Sequence, residues 1–452
     1  MWWHDPRALL LHALLLDWLG QLVILAGIMC SSGWLALSTG GPPQHEVHGI
    51  WLIFCLLLYP LLGWLFGSYT VLRWRRLSFF VLVQRLLITA TVTLIVVAFA
   101  RWLVSPGAEV WLVHRWVQVV WLSALTAWSL LIRIALRRGL LLPDAPRLLL
   151  LASDDEMNSM LQAWGRVSLP QRLEPISPFA LDHLLNDVSQ PLLVALSPSC
   201  RHDPSLSVLI KRLEIQDPRL IQTISVINLF EKQQERLPPA LLADSSLSYD
   251  EMPWAAPFSV QAQLKRLSDL LVAGFLLLLT APFVGLAALL IWLEDQGPIF
   301  YSQQRSGWLG RPFTVLKLRT MREQSKAGQT LWTQPGDQRI TAVGQWLRRL
   351  RLDELPQLLN VLNGEMSLIG PRPERPELEH DLERYIPHYR KRHWMRPGLS
   401  GWAQVCAPYA SSIEDSDFKL SYDLYYLRNF NTWLDLVILF RTIKTVLKAG
   451  GR

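Results

Sequence analysis

Two adjacent carboxylates, Asp353 and Glu354, open the run LDELPQLLNVLNGEMSLIGPRPERPE, which extends from residue 352 to residue 377. Arg348, Arg349 and Arg351 lie just upstream, and Arg372 and Arg375 follow in GPRPERP. Pro371, Pro373 and Pro376 fix φ there, so the segment holds arginines at low entropic cost. Arginine grips phosphate through two parallel hydrogen bonds. A carboxylate beside several arginines is expected to stay ionised. An ionised Asp353 can attack an electrophilic phosphorus. An adjacent Glu354 can hold Mg2+ together with phosphate oxygens of a substrate. The residue set is that of a phosphoryl-transfer site. The plainer reading is structural: Asp353 lies near a helix N-cap, and Glu354 favours the helix dipole.

The carboxylates need a helix, and the pattern supplies one. Leu355, Leu358, Leu359 and Leu362 repeat at helical spacing, Pro356 suits the first turn, and Gly364 suits the position past the end. Upstream lies a long apolar run, 267–295, with Pro282 in its middle. Lys265 and Arg266 precede it; Arg305, Arg311, Lys317, Arg319 and Arg322 follow it. Basic flanks belong on the cytoplasmic side. The run is therefore expected to enter the membrane and return as a re-entrant helix–break–helix over about 262–295. Thr280 or neighbouring packing would satisfy the backbone at the break. The alternative is an ordinary kinked span. A final helix, about 432–448, sets Leu434, Val437, Ile438, Val446 and Leu447 against Arg441, Lys444 and Lys448. That suits a membrane interface or a packed surface.

Four more apolar runs open the chain, at about 9–37, 50–69, 79–104 and 110–136. Each is long enough to cross a bilayer core of roughly 30 Å. The first is too long for a cleaved signal. Arg73, Arg75 and Arg76 follow the second run, and Arg137 and Arg138 follow the fourth. The segments 39–49 and 105–109 carry no Lys or Arg. The N-terminus and everything after Arg138 are therefore expected in the cytoplasm. Asp17, inside the first run, is expected near an interface or paired within the bundle. A chain that is 51% hydrophobic, with only 18% charged residues, fits a membrane protein better than a soluble one. The net charge of +7 suits a body on an anionic leaflet. The basic residues form no nucleic-acid motif, so no nucleic-acid partner is expected. The four cysteines form no CxxC, which argues against a disulfide framework or a zinc site.

Between the runs and the carboxylates, short apolar stretches at 147–153, 172–177, 191–197 and 220–227 read as buried strands. Helical patterns separate them, which implies a parallel sheet and a Rossmann-like α/β domain. The turn after the first strand, ASDDEMN, is glycine-free and acidic where a pyrophosphate would sit, so NAD binding is not expected. A scaffold, dimerisation or weak sensing role is the better reading. The stretch 243–259 reads as a linker. The expected architecture is a four-helix transmembrane domain (1–140), a Rossmann-like domain (141–250), and a mixed α/β monotopic catalytic domain (251–452).

From Lys265 onward the chain resembles the bacterial sugar transferase family, the monotopic phosphoglycosyl transferases. The matching stretches are LKRLSDLL, GPIFYSQQRSGWLGRPFTVLKLRTM, DQRITAVGQWLRR, LDELPQLLNVLNGEMSLIGPRPE, RPGLSGWAQV and DLYYLRNFNTWLDLVILFRTIKTV, in family order. The preceding spans and α/β region resemble the family's long form, which initiates O-antigen, capsule and other exopolysaccharide repeats. The chain departs from the family pattern in having Gln304 for Glu, Ser400 for Thr, and Asn429-Phe430-Asn431 for NWS. The first departure puts any carboxylate role at 304 in doubt.

The resemblance implies specific roles. Asp353 would attack the β-phosphate of a UDP-sugar, release UMP and form a covalent phosphosugar. Undecaprenyl phosphate would then accept the sugar phosphate. Glu354 would hold Mg2+, with Mn2+ as the alternative. Arg348, Arg372, Pro371, Pro373, Lys317, Arg319 and Arg305 would bind substrate. Lys265, Asp269 and Pro282 would belong to the re-entrant element. The resemblance further implies a bacterial inner membrane location, a cytoplasmic catalytic domain, a homodimer, and a hexose donor, with glucose and galactose the commonest. A non-catalytic scaffold and a lipid phosphatase using the same aspartate are the competing readings. Intact Asp353, Glu354, Arg348 and Lys317 favour the transferase. Because the resemblance starts at Lys265, a chain cut at Gln261 is expected to keep some activity.

Overall fold

The computed structural model describes residues 6–37, 45–66, 68–69, 79–104, 115–137, 146–167, 171–243, 247–322, 339–407 and 412–447, apart from positions 187, 189, 219, 253 and 257–258. The chain divides into two compact units, Met1–Leu229 and Phe230–Arg452.

The first unit opens with four helices: α1 (Pro6–Leu37), α2 (His45–Leu65), α3 (Phe79–Val104) and α4 (Arg115–Arg137). Stretches of α1, α3 and α4 (Leu11–Ile28, Leu82–Val104 and Trp116–Leu136) are long and apolar enough to cross a membrane, while the apolar part of α2 is the shorter Ile50–Trp64. Leu25, Trp51, Leu58, Val97, Trp121 and Leu125 form the bundle's core. Leu22, Ile53, Phe99 and Leu131 stay exposed, so the bundle is apolar outside as well as inside. Such a surface suits lipid. Asp17 is fully buried and pairs within the bundle: its carboxylate accepts from both terminal nitrogens of Arg133, at 2.8 and 3.1 Å, and from Ser129 at 2.7 Å. Of the two sequence expectations for Asp17, the paired one holds.

The same unit continues into four parallel strands: β1 (Arg147–Leu151), β2 (Leu173–Pro175), β3 (Leu192–Leu196) and β4 (Ile221–Ser225). Their order is β2-β1-β3-β4. Leu149, Leu151, Val194 and Ile221 pack with Leu181, Leu209 and Leu213 from the intervening helices. A buried parallel strand needs apolar residues on both faces, which explains the unbroken leucine run in β1. The acidic ASDDEMN turn becomes the first turn of helix Asp154–Gly165. There Asp154, Asp155 and Glu156 complement the helix dipole, and Glu156 accepts from Ser153 and Ser199.

The second unit carries the long helix Val260–Asp295. Where the sequence suggested two helices and a break, one helix runs through Pro282. A proline forfeits a single backbone bond and kinks a helix without necessarily ending it. Packing on both sides of Pro282 holds the segment. Ala273, Leu276 and Leu277 pack with Leu358 and Val361, while Val284, Ala287 and Ile291 pack with Leu318 and Leu347. The face away from the domain, including Phe275, Leu278, Phe283 and Leu286, is apolar and exposed. Beyond the helix come the antiparallel hairpin β5 (Phe300–Ser306) and β6 (Pro312–Leu318), and the short parallel pair β7 (Ser367–Ile369) and β8 (Gly398–Ser400). Helices Ile413–Asn429 and Thr432–Leu447 close the described chain. The side chains of Lys444, Val446 and Leu447, and all of Lys448, lie outside the described residues, and so does part of the expected apolar stripe of this last helix.

Candidate active site

The carboxylate pair is positioned by a sharp turn. Helix Ala342–Leu350 starts at Thr341, whose hydroxyl accepts from the Gly344 N–H at 2.9 Å, and ends at Arg351 in the left-handed region (φ 55°). A non-glycine residue adopts that conformation at a cost, so the surrounding structure must hold it. Residues Leu352–Gln357 then form a tight 3-10 turn, and Leu358–Asn363 a short α-helix. Gly364 ends the helix at φ 85°, and Arg266 donates to the carbonyls of Val361 and Leu362 at 2.6 and 2.9 Å. The single helix expected from the leucine spacing is thus two elements. Asp353 sits inside the turn rather than at a cap, so the helix-cap reading loses its geometry.

Glu354 is the hub. Its Oε1 accepts from Arg372 Nη2 at 2.9 Å and from Lys317 Nζ at 3.2 Å, and Arg351 lies 3.9 Å from Oε2. Lys317 comes from β6, which packs on the turn, and Arg372 from the proline loop. Burial alone would raise the Glu354 carboxyl, but Arg372 and Lys317 hold it well below the usual carboxylate range. Asp353 behaves oppositely. Burial and the neighbouring Glu354 charge push it up to about 6, with Lys317 and Arg348 opposing. The expectation that carboxylates beside arginines stay ionised is met most strongly at Glu354, which Lys317 and Arg372 contact directly; Asp353, at about 6, is still ionised at neutral pH. Burial lowers Lys317, with Glu354 opposing, and lowers Arg305, with Glu374 opposing.

The Arg372 loop is held carbonyl by carbonyl. Gly398 N–H donates to Pro371 at 2.8 Å, Arg392 to Arg372 at 2.8 Å, and Arg305 to Pro373 at 3.3 Å. Prolines offer no N–H, so the loop is fixed through its acceptors. Gly370 and Gly398 approach so closely that a Cβ on either would collide with backbone. Arg392 is itself paired with Asp423 at 3.0 Å, both buried.

The remaining sequence candidates divide. Arg348 donates to Thr320 at 2.9 Å and bears electrostatically on Asp353. Arg319 packs its guanidinium against Gly297 near the end of the long helix. Lys265 pairs with Asp435 at 2.7 Å and reaches Tyr426 at 3.3 Å. Asp269 accepts from Leu368 N–H at 3.0 Å, holding β7 just ahead of the proline loop. These two residues brace the site without touching the carboxylate pair, and Pro282 lies farther along the same helix. Sequence reasoning missed Arg392, Asp423 and Gln357. Gln357 lies three residues after Glu354, a spacing that aligns side chains only once the turn is known to be 3-10.

Glu354 and Asp353 are the residues here that could hold a divalent cation. Oε1 of Glu354 accepts from Lys317 and Arg372, and Arg351 lies 3.9 Å from Oε2. Asp353 supplies a second carboxylate beside it. Magnesium takes one or two carboxylates and completes its shell with phosphate oxygens and water.

Comparison with known proteins places the chain's second half in a family. A family model described as bacterial sugar transferase matches residues 260–449. Over 195 residues the chain is 45% identical to a UDP-N-acetylgalactosamine-undecaprenyl-phosphate N-acetylgalactosaminephosphotransferase of Aeromonas hydrophila, covering 43% of this chain and 46% of that protein. It is 42% identical over 185 residues to a UDP-glucose:undecaprenyl-phosphate glucose-1-phosphate transferase of Caulobacter vibrioides, covering 40% of this chain and 69% of that protein. A protein of the same name from Escherichia coli is 34% identical over 229 residues, covering 50% of this chain and 47% of its own length. The match thus spans about half the length of the Aeromonas and Escherichia relatives.

Proposed function

The chain belongs to the bacterial sugar transferase family, and from that premise we propose that it transfers a sugar-1-phosphate from a UDP-sugar to undecaprenyl phosphate, releasing UMP. One observation carries the reading. Two adjacent carboxylates differ in ionisation inside a cation-walled site: Glu354 is clamped by Lys317 and Arg372, and Asp353 is raised to about 6. Environments that drive neighbouring acids apart mark groups with separate roles.

In this reading Asp353 is ionised above pH 6 and attacks the β-phosphorus. The bond from that phosphorus to the oxygen bridging the two phosphates breaks, and UMP leaves. A phosphate oxygen of the lipid then attacks the same phosphorus, the aspartyl bond breaks, and the sugar diphospholipid departs with Asp353 restored. Lys317, Arg372 and Arg348 offset the negative charge of two anionic substrates, the largest obstacle to bringing them together. Glu354 would hold Mg2+ or Mn2+, which neutralises diphosphate charge when bound. The relatives' names cover N-acetylgalactosamine and glucose donors, so a hexose or N-acetylhexosamine donor is proposed. The reaction would be the first membrane step of exopolysaccharide, capsule or O-antigen synthesis. We place the catalytic unit on the cytoplasmic face of the inner membrane, with the long helix re-entrant. Both halves of that helix pack on the same domain while its other face is apolar and exposed, which supports entry and return. A homodimer through the parallel sheet completes the proposal.

The test is the donor half-reaction. Full-length protein in detergent, with Mg2+ and a panel of UDP-glucose, UDP-galactose and UDP-N-acetylgalactosamine, should release UMP in an amount matching the protein, without lipid. Labelled UMP should exchange back into the UDP-sugar, EDTA should stop it, and Asp353→Asn should abolish it. Exchange that requires the lipid, or survives Asp353→Asn, would replace the covalent intermediate with direct transfer.

A further inference from the structure

We infer that Gln357 is a substrate-contacting residue whose side-chain amide donates to a phosphoryl oxygen of the sugar diphosphate. This rests on the transfer reading above and adds one residue to that same site.

Gln357 is the last residue of the 3-10 turn that carries the carboxylates, and it is 4% exposed. In a 3-10 turn, residues three apart eclipse, so Gln357 stacks on the face that carries Glu354. Its side chain lines a narrow cavity with Arg305, Lys317, Arg372 and Pro373. Its Nε2 is buried and has no hydrogen-bond partner among the described residues. A buried amide donor left unpaired is costly, and such groups are rare in folded proteins. The groups beside it explain why nothing in the protein takes the donor. Lys317, Arg305 and Arg372 are donors themselves, and the Oε1 of Glu354 is already shared by Lys317 and Arg372. The cavity wall therefore carries three cations and one neutral donor, beside a Glu354 carboxylate that two of those cations already engage. Its room amounts to about one water molecule, which is also the size of one phosphoryl oxygen. An anionic oxygen is the group that would satisfy every member of that wall. Glutamine adds a donor there without adding a fourth positive charge.

The competing account is a resident water that merely completes the core, and the two diverge under substitution. Gln357→Leu keeps the volume and removes the unpaired donor, so the protein's Tm should hold or rise. Donor kcat/KM, read as UMP release by the full chain with UDP-glucose or UDP-N-acetylgalactosamine, should fall roughly 10- to 100-fold, the scale of one hydrogen bond to a charged group. The rise in Tm that UDP gives the wild type should shrink. Gln357→Glu, which sets a carboxylate against the phosphate, should lose more activity than Gln357→Leu. Unchanged kcat/KM together with an unchanged UDP effect in Gln357→Leu overturns the inference and leaves the water. Should Gln357→Leu fail to fold, Gln357→Asn withdraws the amide by one methylene, and the same two readouts decide. A wild type that releases no UMP from any donor defeats the transfer reading itself, whereas release that ignores Gln357 defeats this inference alone.

Discussion

At the scale of residues, the site is a division of labour between two neighbouring acids. Asp353 titrates at about 6, against 3.8 for a free aspartate, because burial and Glu354 disfavour its charge. Single-turnover UMP release should therefore fall on the acid side, as the carboxylate takes a proton. The same shift has a stability consequence. The folded chain protonates Asp353 before the unfolded chain does, so the residue weakens the fold at neutral pH and ceases to do so below about pH 4. Asp353→Asn should raise Tm at pH 7.5, with the gain shrinking toward pH 4; a Tm lower at both would contradict this. Glu354 is the reverse case, with stability present at neutral pH and lost on acidification. Glu354→Gln leaves Lys317 and Arg372, both partly exposed, facing an amide and should cost about 1.5–3 kcal/mol, the scale for a hydrogen bond to a charged group, measurable by denaturant unfolding.

At the scale of elements, the long helix sets the topology. Its position along the domain predicts that Glu251 and Ser302, exposed residues before and after it, lie on the same side of the membrane. Single cysteines there, in a cysteine-free chain in intact cells, should both resist an impermeant thiol reagent; labelling of the Ser302 site alone would mean a full crossing. The continuity of this helix through Pro282 was not legible from composition. Whether a proline breaks or kinks a helix depends on what packs on either side of it, and Leu358, Val361, Leu318 and Leu347 are distant in sequence. The strands of the parallel sheet were legible to within a residue or two, because a strand buried on both faces must be continuously apolar.

At the scale of the whole molecule, the second unit begins earlier than the family resemblance does. Residues before the long helix strap the rest of the second unit. Trp402 donates to the Glu235 carbonyl at 3.0 Å, Leu237 N–H to Ser421 at 2.8 Å, and Trp254 to Leu427 at 2.8 Å. Arg236, 2% exposed, lies between the rings of Phe230 and Phe418, 5.1 Å from each. The strap also reaches the segment of Arg392, since Lys391 donates to the Leu247 carbonyl at 2.9 Å. A chain started at Gln261 should therefore melt several degrees below one started at Val226 and lose most donor turnover. Equal Tm and equal UMP release from the two would dismiss the strap.

The sequence by itself determined which residues could do the chemistry. It also determined that the chain is built around membrane helices and which stretches would be buried strands, since these depend on residue type and short-range periodicity. It did not determine which cation meets which carboxylate. Lys317 and Arg372 converge on Glu354 from elements 37 and 18 residues away; that convergence keeps Glu354 ionised, while burial, with the Glu354 charge added, raises Asp353. Nor did it show that Arg319 faces Gly297, that Arg392 holds the proline loop, or that Gln357 stands unpaired among cations. Those depend on a left-handed turn at Arg351 and on backbones packed glycine to glycine at Gly370 and Gly398. Such long-range contacts are set by packing between elements, which no local spacing encodes.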